Sequence, residues 1–405
     1  MATERAYWFA WSQVKDVGPV TLKRLWEHFG SLAAAWEAPA GELLAVDGIG
    51  LLIAENIVRQ RPMLNPAELL VQHESENESF WTPADADYPA LLFAINDPPP
   101  LLYYRGNLRP INPNRMAVGI VGTRRPSAYG KRWTTRLSNR LTANGAMIIS
   151  GLAAGIDTEA HTSCLLQQGA TVAVLGTGVD VVYPKRNQRL YEQIVATGLV
   201  VSEYPDGTGP DRAHFPRRNR IIAGLSRAIL VTEAPARSGA LITARLANDY
   251  CREVYALPSS LDNESGQGCL HLIAQGAQVI LSDRTLIEAL DALPPVDVPT
   301  TSLDTYSDTV PGKKSLTGQV PPTASAEKSP SGSPSLEASS LLPETPLELT
   351  PLLTQVLNAV SVEPVLLDGI VARSQVDTGA VLGALVELEL SGLVVQLPGM
   401  QYQRA

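Results

Sequence analysis

The chain has 405 residues, 45% of them apolar and 18% charged, with 31 Gly and 31 Pro, enough for two or three domains around at least one sizeable core. Its 32 Lys+Arg and 41 Asp+Glu give a formal net charge of −9, which taken whole argues against a nucleic-acid binder. No run of eighteen apolar residues occurs, which excludes a membrane-spanning helix, and three scattered cysteines without a CxxC pair argue against a disulfide framework or structural zinc. The five histidines show no HExxH or other metal spacing. The start, MATERAYWFAWSQVKDVG, lacks the basic, apolar and small-residue order of a secretory signal. A cytoplasmic protein is expected.

Along the chain, residues 1–75 read as helices, because the apolar positions of YWFAWSQV, VTLKRLWEHF and LLIAENIV recur every three and four residues. Residues 76–114 are Pro-rich and aromatic, a connector with short extended pieces. Residues 115–290 alternate apolar runs (MAVGIVG, AMIISG, TVAVLG, LVVSEY, AILVTEA, EVYAL, AQVIL) with amphipathic stretches. That alternation predicts an α/β domain with a doubly wound, Rossmann-like parallel sheet. Residues 291–348 predict a disordered linker: ten of the 31 prolines lie within 294–346, among Ser, Thr, Gly and acids. Residues 349–405 resume helical periodicity and end in a hairpin-like pair, the outline of a small winged-helix module.

Charge is uneven along this layout. Residues 115–256 hold 18 Lys+Arg and 10 Asp+Glu, a net of +8, while the rest holds 14 and 31, a net of −17. The basic middle fits either phosphate binding or solvated helix surface.

Ligands of an open parallel sheet bind beyond the carboxyl ends of its strands. After the first strand comes Gly122-Thr123-Arg124-Arg125, a glycine turn with two arginines where a dinucleotide site uses small residues; it is not GxGxxG. After the second comes Ser150-Gly151, then Asp157 and His161 four apart. That pair could suggest a metal or an acid–base couple, but with no third ligand in view the favoured reading is a helix-start Asp with His packed behind it. Lys185 follows the third strand, in YPKRN. The segment His214-Phe215-Pro216-Arg217-Arg218-Asn219-Arg220 suits a charged polymer: Arg forks phosphates, Asn reads base edges and Phe offers a stacking face. The competing reading pairs these arginines with Glu203 and Glu233. Ser238-Gly239 opens the helix after the fifth strand. With no GxSxG and no GxxxxGK[ST], these turns point to binding without catalysis, metal or cofactor.

At GTRRPSAYG, SGLAAGIDTEAH, AVLGTGVDVVYPKRN and FPRRNRIIAGLS, across roughly residues 80–290, the sequence resembles the DprA/Smf family of DNA-processing proteins. The resemblance implies an extended Rossmann fold that binds single-stranded DNA, forms a homodimer and loads RecA in natural transformation. It assigns DNA contact to Arg124, Lys185, Phe215, Arg218 and Asn219, with Arg212 at a position often basic in the family and Ser150, Gly151, Ser238 and Gly239 as its small-residue phosphate turns. Val17-Gly18-Pro19 and Asp47-Gly48-Ile49-Gly50 resemble the hairpins of a helix-hairpin-helix (SAM-like) domain, which would either meet a DNA backbone or simply pack. The C-terminal module resembles the family's winged helix, but its expected recognition helix, DTGAVLGALVELELSG, carries three acids and no base, so protein contact or none is expected there. The competing enzyme class is a nucleotide phosphoribohydrolase of the lysine-decarboxylase-like group, similar at PGGxGTxxE. Here the equivalent stretch, Ala236–Thr243, has no GG and no Glu after it.

Overall fold

In the computed structural model, the apolar runs of the middle of the chain lie side by side as one nine-stranded sheet. The structure describes residues 2–77, 79–108, 111, 115–294, 351–361, 363, 365–374, 376, 380–381, 384–385, 388, 393–397 and 401–404. The linker expected over 291–348 lies almost entirely outside these residues. Two compact units emerge, Met1–Pro311 and Gly312–Ala405.

The first unit opens with helices α1 (Glu4–Ser12), α2 (Pro19–Phe29), α3 (Leu32–Glu37), α4 (Ala40–Leu43), α5 (Leu51–Gln60) and α6 (Pro66–Glu76). The connector supplies β1 (Phe80–Trp81), α7 (Ala90–Phe93) and β2 (Leu102–Gly106). Strict alternation then gives β3 (Ala117–Gly122), α8 (Ala128–Ala143), β4 (Met147–Ser150), α9 (Ile156–Leu166), β5 (Thr171–Val174), α10 (Gln188–Thr197), β6 (Leu199–Ser202), α11 (His214–Leu225), β7 (Ala228–Glu233), α12 (Gly239–Asp249), β8 (Glu253–Ala256), α13 (Gln267–Ala274), β9 (Gln278–Val279) and α14 (Asp283–Asp291).

The strand order is β1-β2-β6-β5-β4-β3-β7-β8-β9. Strands β3 to β9 are parallel, and β2 and β1 add to the β6 edge antiparallel. Their near-continuous apolar character has its reason here: both faces are covered. On β3, Ala117 and Val121 join the core under α11, α12 and α13, while Val118 and Ile120 join the core under α8, α9 and α14. The six N-terminal helices share the first of these cores. Trp8 and Trp26 meet Phe93 edge-on at 6.4 and 5.0 Å, and the Lys23 ammonium donates to the Ile95 carbonyl at 2.7 Å.

From β3 the chain winds outward through β4, β5 and β6, then returns to β7 on the other side of β3. The carboxyl ends of β3 and β7 thus flank the point where the winding reverses, the place where such sheets take ligands. Between Val121 and Gly122 the β3–β7 register shifts, which brings the Thr123 amide onto the Glu233 carbonyl at 2.7 Å. Gly155, at φ +85°, crosses this turn so closely that a Cβ would sit 2.4 Å from the Thr123 carbonyl oxygen.

In the second unit, α15 (Pro351–Ala359), β10 (Val365–Leu366), α16 (Leu367–Ser374), β11 (Val394–Leu397) and β12 (Gln401–Arg404) form two helices and a three-stranded sheet of order β10-β12-β11. Leu353, Val356, Ile370, Leu385, Val394 and Tyr402 fill its core. The expected recognition helix, residues 377–392, falls mostly outside the described residues.

Gly155→Ala tests the crossing. The added methyl meets the Thr123–Arg124 backbone and the left-handed φ strains it, so a loss of about 2 kcal/mol or more is expected, read as a lower urea midpoint at unchanged slope.

Candidate nucleic-acid interface

Three carboxyl ends, those of β3, β4 and β5, converge on the first turn of α11, and the residues singled out from the sequence divide there into two sets. The inner set is buried. Arg218 is 4% exposed. Its guanidinium donates to the carbonyls of Gly151, at 2.6 Å, and of Val174, and its Nε reaches Asn219 Oδ1 at 3.3 Å. Gly151 is required beneath it, because a Cβ would lie 2.7 Å from the guanidinium. An exposed phosphate-contacting Arg218 was expected; the side chain instead clamps two strand ends. A phosphate would have to displace two carbonyls to reach it.

The turn after β4 is closed in the same way. Asp157 Oδ2 accepts from the amides of Gly151, at 3.1 Å, and Ala153, at 3.2 Å, and the Ser150 hydroxyl donates to the Ile120 carbonyl at 2.6 Å. Ser150 and Gly151 are buried, so their expected role as a phosphate turn is corrected: an internal carboxylate occupies the amides. Burial pushes the Asp157 carboxyl up, opposed by Arg218 and the amides. Burial likewise draws Arg218 down to about 10, opposed by Asp157. Asn187 staples the loop from the other side, donating to the Leu152 carbonyl at 2.9 Å and Thr158 Oγ1 at 3.0 Å.

His161 is fully buried one helical turn further along α9. The Thr171 hydroxyl donates to the Ile148 carbonyl, so at 2.7 Å it accepts from His161 Nδ1–H, which places a proton on Nδ1. Burial, then Arg218, bring the His161 pKa down to about 3. Asp157 lies in the first turn of α9 and closes the loop before it, while His161, one turn on, is buried against Thr171. Among the described residues no cluster of His, Cys, Asp or Glu could hold a metal ion.

The turn after β3 follows the same plan. Glu233, at the end of β7, accepts from the Ser127 amide and the Ser127 hydroxyl, both at 2.7 Å, while Thr123 Oγ1 takes the Arg125 amide at 3.2 Å. Gly122 has no room for a Cβ, which would lie 2.7 Å from the Glu233 carbonyl oxygen. The turn after β7 is more open: Ser238 caps α12 through the Ala240 amide at 3.3 Å, and Gly239 faces open space. Asn219 Nδ2 donates to the Gly239 carbonyl at 3.3 Å, joining this turn to α11.

The outer set faces solvent, and Phe215 is the ring at its base. The Arg124 and Arg218 guanidiniums lie 5.6 and 5.9 Å from the centre of its ring, the half-exposed Tyr183 ring lies 5.6 Å away, and Gly176 backs it, with 3.0 Å left for a Cβ. Arg124, Arg125, Lys185, Arg212 and Arg217 are exposed, and none forms an ion pair among the described residues. The internal pairing considered for the FPRRNR arginines applies to Arg220 alone, which meets Glu203 at 2.6 Å and Asp97 at 3.4 Å. Glu233 serves Ser127 instead. Sequence reasoning missed Asp157, Asn187 and Glu233 as closures of the turns and Tyr183 as the neighbour of Phe215. An acid ending the apolar strand AILVTE was the available signal for Glu233.

Residues 79–291 match the family described as DNA recombination-mediator protein A, and residues 341–400 match the DprA winged helix domain. The chain is 49% identical to Protein Smf of Synechocystis sp. over 404 residues, 99% of each chain. It is 34% identical to DNA processing protein DprA of Bacillus subtilis over 274 residues, 68% of this chain and 91% of that one. The X-ray structure of DprA from Streptococcus pneumoniae superposes with a TM-score of 0.60 at 34% identity, covering 71% of this chain and 98% of that one.

Two outcomes follow from the inner set. Arg218→Ala leaves Asp157 buried without its cation and should cost about 3–5 kcal/mol of stability, whereas Arg124→Ala should stay within about 0.5 kcal/mol of the parent; chemical denaturation of both variants measures this. For His161, the folded ring stays neutral while the unfolded one binds a proton below its ordinary pKa. Stability is therefore present above that value and lost as pH falls from about 6.5 towards the folded value near 3. Between about pH 7 and 5 the loss should reach about 2 kcal/mol, and His161→Gln should remove that share of the pH dependence.

Proposed function

The chain belongs to the DprA/Smf family of DNA recombination mediators, and from that premise we propose that it binds single-stranded DNA at the carboxyl edge of its parallel sheet. The observation that carries this reading is the outer set: five exposed cations that form no ion pair among the described residues, one of which, Arg124, lies over the Phe215 ring. Arg124, Arg125, Lys185, Arg212 and Arg217 fork or neutralise phosphates, and Phe215 offers a face to an unpaired base. Asn219, Ser238 and Gly239 form the open wall beside them, with Gly122 and Thr123 shaping the turn that carries the arginines. Ser150, Gly151 and Arg218 act from beneath, as the floor that holds Phe215 in place.

Recognition then rests on side chains, because the amides of the first two turns already serve Glu233 and Asp157. No turnover is assigned. Asp157 and His161, the one acid–base pair visible in the sequence, are committed to hydrogen bonds inside the fold. The protein would hold a strand open and pass it to RecA during natural transformation, as a homodimer whose two edges lengthen the track, in the cytoplasm and without a cofactor.

Mobility-shift titration tests the reading. Single strands should bind more tightly than blunt duplex, with affinity falling as salt rises. Arg124→Ala should weaken binding by one charge-assisted contact, about 1.5–3 kcal/mol or about 10- to 150-fold. Equal affinity for duplex, or an affinity indifferent to salt, would refute it.

A further inference from the structure

Between Asp97 and Asp157 the sequence holds no acid at all, although acids outnumber bases in the whole chain by 41 to 32. Residues 98–156 carry nine bases: Arg105, Arg109, Arg115, Arg124, Arg125, Lys131, Arg132, Arg136 and Arg140. Two of these form the turn after β3, and four lie on α8, the helix that the turn enters.

Helical phase sorts the α8 residues. At 100° per residue, Tyr129, Arg132, Trp133, Arg136 and Arg140 fall within one arc of about 100°, opposite the buried Gly130, Thr134, Leu137 and Leu141. Within that arc rings and cations alternate and touch. The Arg132 guanidinium lies 5.7 Å from the centre of the Tyr129 ring, the Arg136 guanidinium lies 5.2 Å from that of Trp133, and the two rings are 6.3 Å apart. Tyr129 is anchored by its hydroxyl on the Pro258 carbonyl at 3.0 Å, so it is a fixed support. A guanidinium laid on a ring loses little freedom on binding a phosphate; Arg132 keeps its N–H edge for one, whereas Arg136 gives Nε and one Nη to Asp283 and keeps the other Nη. Arg136 and Arg140 share a single carboxylate, that of Asp283, at 3.0 Å each, which leaves a net positive charge at the far end of the row.

We propose that this row on α8 is a second segment of the single-strand track, receiving the phosphate backbone of a strand as it leaves the Arg124-Arg125 turn. It rests on the reading of the carboxyl edge given above and extends it by about 18 Å, the rise from Ala128 to Arg140. Continuity with the turn and the charge of the row favour a nucleic-acid occupant over an acidic protein segment. Long strands would therefore use contacts that short ones never reach.

The test compares oligothymidylates of about 6 and about 30 nucleotides, using the full chain and an Arg132→Ala/Arg136→Ala variant that keeps the Arg140–Asp283 pair. The short strand should bind both proteins equally. The long strand should bind the variant about tenfold more weakly, and its log–log salt slope should shrink by about 1.4, two contacts at about 0.7 each. Should the double variant melt early, Arg132→Glu, whose guanidinium rests on the Tyr129 ring, carries the same comparison. An unchanged long-strand affinity overturns the second segment while leaving the carboxyl edge intact. Loss of long-strand binding in the α8 variant together with no effect of Arg124→Ala would fault the carboxyl edge and leave the α8 row standing. Polyglutamate that binds the full chain but not the variant, with DNA affinity unchanged, would reassign the row to a protein partner and overturn the proposal.

Discussion

Everything at the carboxyl edge depends on one buried guanidinium. Arg218 grips the carbonyls that end β4 and β5, and in doing so fixes the start of α11 against the sheet. Phe215 lies one turn earlier on that helix, and Arg124 leans on the Phe215 ring. Removing water from a guanidinium is costly, so the arrangement persists only because carbonyls satisfy its N–H groups and Asp157 balances its charge. The same group that stabilises the floor thereby sets where the exposed side chains stand.

A sheet of this kind normally offers the amides after its strands to a phosphate. Here two of those turns carry their own anions. Glu233 crosses from β7 to the start of α8, and Asp157 folds back over the turn after β4. Amide cradles fit a small ligand whose phosphate sits at one point. Exposed side chains suit an extended polyanion instead, because their contacts form and break one at a time.

The sheet was legible in the sequence because strands covered on both faces are apolar without interruption, and seven such runs stood out between helical stretches. Arg124 and Arg125 were legible as well, since a turn between a glycine and a proline leaves its side chains outside. The FPRRNR arginines were not separable in one dimension. Arg217, Arg218 and Arg220 point in different directions at 100° per residue, so one faces solvent, one the strand ends and one Glu203. Which is which depends on how α11 lies across β4 and β5, a relation that no local pattern encodes. Asp157 and His161 show the converse: a spacing of four suggests a shared task, yet one side chain turns back to amides and the other reaches Thr171.

The short stretch from α7 to Asp97 touches both ends of the first unit. Phe93 and Ile95 receive the N-terminal helices, while Asp97 and the Leu91 carbonyl receive Arg220, Tyr250 and Arg252. Gly224 leaves only 2.7 Å for a Cβ before Leu92. During synthesis the N-terminal helices and this stretch leave the ribosome first, and their covering helices are more than a hundred residues behind. At about 5–20 residues per second, the Leu92 and Ile95 side of this stretch waits on the order of ten seconds for Gly224 and the rest of α11. The newborn chain therefore passes through an interval in which the tryptophans already have Phe93 beside them in sequence while the other side of the same stretch still lacks its helix.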